Sequence, residues 1–248
     1  MKDVKYQFYA TILDAFQNYL SSSSIFQTYW GNSENPKKTE QEFEEEQFQS
    51  LLDRINRVPF ESEPADKGTA FNEVIDCLIE NRKPSEKFQF KTHKDLGVIA
   101  AAYKSYVFEF PLKLCLDFKN RFDGAMPQYR TEAILPTKYG DVLLYGYIDE
   151  LLPDKVVDIK TTSKYNAFKF RDHWQHMVYP YCLIEDGNLI NTFEYVVTDF
   201  KSVYSEVYVF NPERDVPRLT THVERFIEFL ESNRDLITDK KIFNNDIS

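Results

Sequence analysis

The chain has 248 residues, 42% of them apolar, which suffices for one large domain with a substantial core. A formal net charge of −10 excludes a protein that coats nucleic acid by charge alone, so any such contact needs a local basic patch or bound cations. Only 7 glycines are present and no Gly-rich phosphate loop, and the three cysteines (Cys77, Cys115, Cys182) form no CxxC pair.

Residues 4–30 carry Tyr6, Phe8, Tyr9, Ile12, Leu13, Phe16, Tyr19 and Leu20 at roughly helical spacing, which predicts a helix with a break at Ser21 to Ser24. Residues 31–41 read as a polar loop. The acidic stretch from Glu40 onward has a single apolar seam (Phe48, Leu51, Leu52, Ile55), the pattern of a solvated helix face. Residues 66–80 read as an amphipathic helix opened by Gly68 and Thr69, and residues 96–122 as a helix interrupted near Pro111. From Tyr129 the pattern changes to short β-branched and aromatic runs: YRTEAILP, DVLLYGYID and KVVDIKT. Phe168 to Glu185 returns to helix, Thr192 to Thr198 and Val203 to Phe210 read as strands, and Val216 to Leu236 as a closing helix. The fold class is therefore α/β (α+β in some schemes), with a mixed central sheet flanked by helices. The aromatic content, 21 Phe and 16 Tyr, belongs mostly to the core. No basic segment followed by an apolar run opens the chain, and no stretch approaches about 20 apolar residues. With the cysteine usage, this leads us to expect a cytoplasmic protein with no membrane partner.

Pro153-Asp154 is a turn signal between two strand-like runs, GYIDELL and KVVDIKT. Taken as the tip, it sets Glu150 opposite Val157 and Asp149 opposite Asp158, on one face with Lys160. Val142, Leu144, Ile148, Val157 and Ile159 then form an opposite, core-facing side. Two opposed carboxylates repel, and a divalent cation between them removes the conflict. A solvated hairpin has the same local pattern, so D-x-K alone does not decide.

The wider constellation is more specific. Gly146 and Asp149 give G-x-x-D; Asp158, Ile159 and Lys160 give D-x-K, followed by Thr161; Gln175 and Tyr179 give Q-x-x-x-Y on a helix. GTAFNE opens an upstream helix, and Glu132 sits in the preceding strand. In this order the motifs resemble the RecB-like branch of the PD-(D/E)XK nuclease superfamily over about residues 66–198. The resemblance implies a restriction-endonuclease-like core at 66–200, a helical elaboration at 1–65 and a closing strand and helix at 201–248. It implies Asp149, Asp158 and the Ile159 carbonyl as ligands of Mg²⁺ or Mn²⁺, with Lys160 as the catalytic lysine. Gln175 and Tyr179 would support the site or contact DNA. Glu132 is either a further acidic ligand or a strand-edge residue. Asn72 stands where many relatives have a metal-binding histidine, and Pro180, following Tyr179, should kink or end the helix. Three separated cysteines do not supply the four that some relatives use for an iron-sulfur cluster, so none is expected.

His173 and His176 give H-x-x-H without further zinc ligands, which points to surface placement. Lys164, Lys169 and Arg171 form the basic cluster nearest the motif and are candidate DNA contacts. The expected activity is metal-dependent hydrolysis of DNA, by an exonuclease acting on ends or single strands in replication, recombination or repair. The alternatives are a nuclease-like module that binds DNA or protein without cutting, and an RNA-processing enzyme with the same site.

Overall fold

Tyr6 and Phe8 are buried while Lys5, Gln7 and Tyr9 are less so, a period of two that belongs to a strand. The computed structural model describes residues 4–31 and 33–244, and its first element is β1 (Val4–Tyr9) rather than the helix expected from residue 4. Its aromatic residues satisfy both periods locally. Parallel pairing of Val4 to Tyr9 with Asp141 to Tyr145 decides for the strand. Helices α1 (Ala10–Leu20), α2 (Ser22–Trp30) and α3 (Glu40–Ile55) follow, the last opened by a Thr39–Glu42 capping box. Next comes α4 (Glu63–Glu80), capped by Ser62.

A second correction concerns residues 88–122, where a three-stranded antiparallel sheet precedes the helix. It consists of β2 (Phe88–His93), β3 (Val98–Tyr103) and β4 (Tyr106–Pro111), followed by α5 (Leu112–Arg121). The alanine run of β3 favours helix by propensity. It is overridden by a two-residue hairpin in which Lys104 takes φ +52° and Tyr103 pairs with Tyr106.

The main sheet then forms from β5 (Met126–Thr137), β6 (Gly140–Leu151), β7 (Val156–Thr161), β8 (Thr192–Thr198) and β9 (Val203–Val209), together with β1. Helix α6 (Gln175–Glu185) joins β7 to β8, which run parallel, and α7 (Pro212–Ser232) follows β9. Helix α6 starts at Gln175, not Phe168, and continues through Pro180 to Glu185. It is buried from Gln175 to Leu183, so packing on all sides holds it despite the missing backbone donor.

The sheet is covered on both faces. One core joins Val142, Leu144, Ile148 and Val156 to α1, α3, α6 and α7; the other joins Val157, Ile159 and Val196 to α4, α5 and the small sheet. Val157 and Ile159 thus face away from Ile148, not with it as expected. The reason lies within β6: Val157 shares a face with its partner Glu150, which sits beside Asp76 of α4, whereas Ile148 belongs to the other core, so the alternation of β6 breaks across Asp149. Among the described residues no helix is long and apolar enough to cross a membrane. Phe8, fully buried with its ring 4.9 Å from that of Phe226, ties β1 to α7. Phe8→Ala should cost about 3–5 kcal/mol in unfolding by denaturant.

Candidate active site

A strand has two edges, and β5 occupies one edge of β6 along its length. Both other partners share the remaining edge: β1 pairs with Asp141 to Tyr145, and β7 pairs with Glu150 and Leu151. Between those stretches the sheet forks. A cleft of ≈ 480 Å³ opens there, with Asp149, Asp158 and Lys160 on one side and Tyr9, Ala10 and Thr11 on the other.

The hairpin register is as expected, with Glu150 opposite Val157 and Leu151 opposite Val156. One step further the ladder is replaced by a side chain: Asp149 Oδ2 accepts the Ile159 N–H at 2.8 Å and the Asn72 Nδ2 amide at 3.2 Å. An extended residue points its N–H and C=O to the same edge, so the Ile159 carbonyl also faces the fork. Asp158 is 3% exposed, and its carboxylate meets Lys160 Nζ at 2.8 Å and Gln175 Nε2 at 2.7 Å. Gln175 Oε1 accepts from Lys160 at 2.9 Å, so the lysine is held from two directions. Burial opposes the Lys160 charge, but Asp158 and Asp149 outweigh it and keep its pKa raised.

Tyr179 and Gln175 are four residues apart on α6, and Gln175 Nε2 reaches the Tyr179 hydroxyl at 3.4 Å. The Tyr179 ring lies over Gly146: a Cβ there would come within 2.4 Å of Tyr179 Cε1. The glycine of G-x-x-D therefore exists to seat the tyrosine of Q-x-x-x-Y, and the two motifs are one packed unit.

The donor set fits a hard cation. Asn72 Oδ1 is buried without a hydrogen-bond partner, and with the two aspartates and the Ile159 carbonyl it makes an all-oxygen set. Asp149 and Asp158 are the two carboxylates that line the cleft. That number suits Mg²⁺, which takes one or two carboxylates plus substrate oxygens and water.

Other anticipated residues fall elsewhere. Glu132 is exposed on β5, ion-paired with Arg130 and absent from the cleft lining, a strand-edge position. Arg171 pairs with Asp172 and lines a different pocket with Arg214 and Arg218. Thr161 points toward α4 near Gly68, and Lys164 is exposed on the turn after β7. His176 is not on the surface: burial pushes its pKa down to about 4, and its ring stacks on Tyr208.

Sequence reading missed four supporting residues. Asp14 is buried, accepts the Trp174 N–H and lies 3.4 Å from His173 Nδ1, anchoring the start of α6 to α1. Gln128 lines the cleft with φ +50°, a backbone state uncommon outside glycine. Behind it sit Asp76, 2% exposed, and Glu150, 0% exposed. Among the described residues no donor reaches either Glu150 oxygen; its neighbour is the Asp76 carboxyl, with which it hydrogen-bonds once one of the two carries a proton. Only the i, i+4 spacing of Asn72 and Asp76 on α4 hinted at this pair.

No protein-family model matches the chain, and no curated protein matches it. Among solved structures, that of SSO0001 is similar at a TM-score of 0.46 with 11% sequence identity, covering 92% of this chain and 79% of that one.

Two predictions follow from this packing. Gly146→Ala should destabilise the fold by about 1–3 kcal/mol through overpacking against Tyr179, read by denaturant unfolding. Burial first raises the pKa of Asp149, Asp76 and Glu150; neighbouring carboxylates add to it at Asp149 and Glu150, while Gln128 and Arg82 oppose it at Asp76. The native state then holds protons that the unfolded chain releases near pH 4, so the contribution of these three groups to stability is full below about pH 4 and is lost as pH rises through the raised values. In EDTA the melting temperature should drop from pH 6 to pH 9, and Glu150→Gln should flatten that slope.

Proposed function

We propose that the chain is a metal-dependent nuclease that hydrolyses DNA phosphodiester bonds, acting at ends or on single strands. The observation that carries this reading is the convergence of Asp149 and Asp158 at the fork, beside a lysine held by Asp158 and Gln175. A buried carboxylate pair with one lysine is poorly compensated unless a cation binds.

Asp149, Asp158, the Ile159 carbonyl and Asn72 Oδ1 would hold Mg²⁺ or Mn²⁺, which supplies Lewis-acid stabilisation of the charge developing on phosphate. Lys160 Nζ remains protonated and donates toward the phosphoryl oxygens, adding to that stabilisation. Gln175 fixes the lysine's direction, and Tyr179 fixes Gln175. Water attacks phosphorus in line and the 3′-oxygen leaves. Tyr9, Tyr145 and Tyr147 at the cleft suit stacking on unpaired bases, which favours single strands over intact duplex.

One observation favours a second reading, a module that binds without cutting: the Asn72 amide already donates to Asp149, competing for a ligand oxygen. Incubation with end-labelled linear single- and double-stranded DNA and closed circles, in Mg²⁺, Mn²⁺ or EDTA, separates the two. The nuclease cuts only with metal, spares circles, and loses about 100-fold or more in rate on Lys160→Ala. A folded protein that cuts none of these substrates overturns the enzyme and leaves the binding module.

A further inference from the structure

A second cleft, of ≈ 380 Å³, lies on the other side of the β7 end. Lys160 lines the first cleft, and the next residues, Thr161, Thr162 and Ser163, line this one. Helix α4 borders both, with Asn72 at the first and Lys67 at the second. Five residues of helix span about 7.5 Å, on the scale of one nucleotide step.

The charges around this cleft are unusual for so acidic a chain. Lys67 follows Glu63 by four residues on α4, a spacing that favours an ion pair. The pair is not made; instead Lys67 Nζ sits 4.3 Å from the centre of the Phe200 ring. Lys169 Nζ donates to Thr162 Oγ1 at 2.9 Å, and Lys164 is exposed on the same turn. Among the described residues none of these three lysines has a carboxylate partner. Of the two acids at the cleft, Asp199 Oδ1 is taken by the Lys201 and Ser202 amides, and Glu63 stands exposed in the first turn of α4. Phe200 holds φ +67°, a costly conformation for a bulky residue. Its N–H on Thr198 Oγ1 and its ring against Phe71 and Phe110 keep it there, under the Lys67 ammonium.

We infer that this second cleft takes the phosphodiester adjacent to the scissile one, the DNA strand lying across the ends of β7 and β8 with its backbone against Lys67 and Lys169. The inference rests on the nuclease reading. It assigns the local basic patch that a net charge of −10 demands of any DNA-binding surface here. The hydroxyls of Thr161 and Ser163 supply neutral donors to the same phosphate, while Thr162, whose hydroxyl donates to the Lys164 carbonyl and accepts from Lys169, holds that lysine in place; such contacts position a strand without reading its sequence.

The test is anisotropy of a fluorescent single-stranded oligonucleotide against the whole chain in EDTA, over a range of salt. Lys67→Ala and Lys169→Ala should each weaken binding equally for all sequences and lower the salt slope by about 0.7. Lys67→Arg should restore the slope, which a merely structural role would not do. Circular dichroism melts confirm that the variants are folded. Unchanged affinity and slope in both alanine variants overturn the inference even if the wild type cuts DNA. Lysine-dependent binding by a chain that cuts nothing supports the second cleft as a phosphodiester site but overturns its adjacency to a scissile bond, because the nuclease reading then fails. A wild type that binds no oligonucleotide overturns it outright.

Discussion

The sharing of one edge of β6 by two strands is the constraint on which the rest depends. Because β5 occupies the other edge, β1 and β7 must part where they meet, and the backbone between Tyr145 and Glu150 is left without ladder partners on that side. Unpaired backbone groups inside a protein need substitutes. Asp149 supplies one by accepting the Ile159 N–H, which turns an interrupted ladder into an anchored carboxylate. Asn72 on α4 joins that anchor directly, while Gln175 and Tyr179 on α6 hold the neighbouring Asp158 and Lys160.

The second governing term is charge in a dry setting. Asp149, Asp158, Asp76 and Glu150 lie close together, while the nearby cations are Lys160 and, 3.9 Å from Asp76, an Arg82 already bound to Glu73 and Glu80. Burying carboxylates without matching positive charge is expensive, so protons or a cation must make up the difference. Glu194 and Asp215, also buried, each have two basic partners, and the buried Glu206 is held by the Tyr165 and Tyr208 hydroxyls and the Phe170 N–H.

The strands from β5 onward and the register of the hairpin were legible because their signals are local. Pro153-Asp154 set the register that placed Asp149 against the β7 backbone, and the i, i+4 spacing put Gln175 and Tyr179 on one face. The elements misread were those whose local pattern fits two states. Residues 4–9 and 98–103 are aromatic- or alanine-rich, and only their pairing partners, distant in sequence or across a tight turn, make them strands. Asp14, Gln128, Asp76 and Glu150 escaped notice for a related reason. A single polar residue in an amphipathic run looks like surface until the opposite element is in place. The sense of the G-x-x-D glycine was likewise hidden, since it concerns the volume of a ring on another helix.

The far wall of the cleft, Tyr9 to Thr11, follows directly from a strand whose partner begins at Asp141. The same strand is tied to the other end of the described chain, with Tyr6 bridging Phe243 and bonding to Glu231. Loop-closure entropy must be overcome before such distant contacts give any return. The hairpin bearing Asp149 and Asp158 can therefore form early in folding, whereas the walled cleft is completed only when the two ends of the fold converge on β6. A half-folded chain thus presents its paired acids as an open hairpin, without the enclosure in which they act.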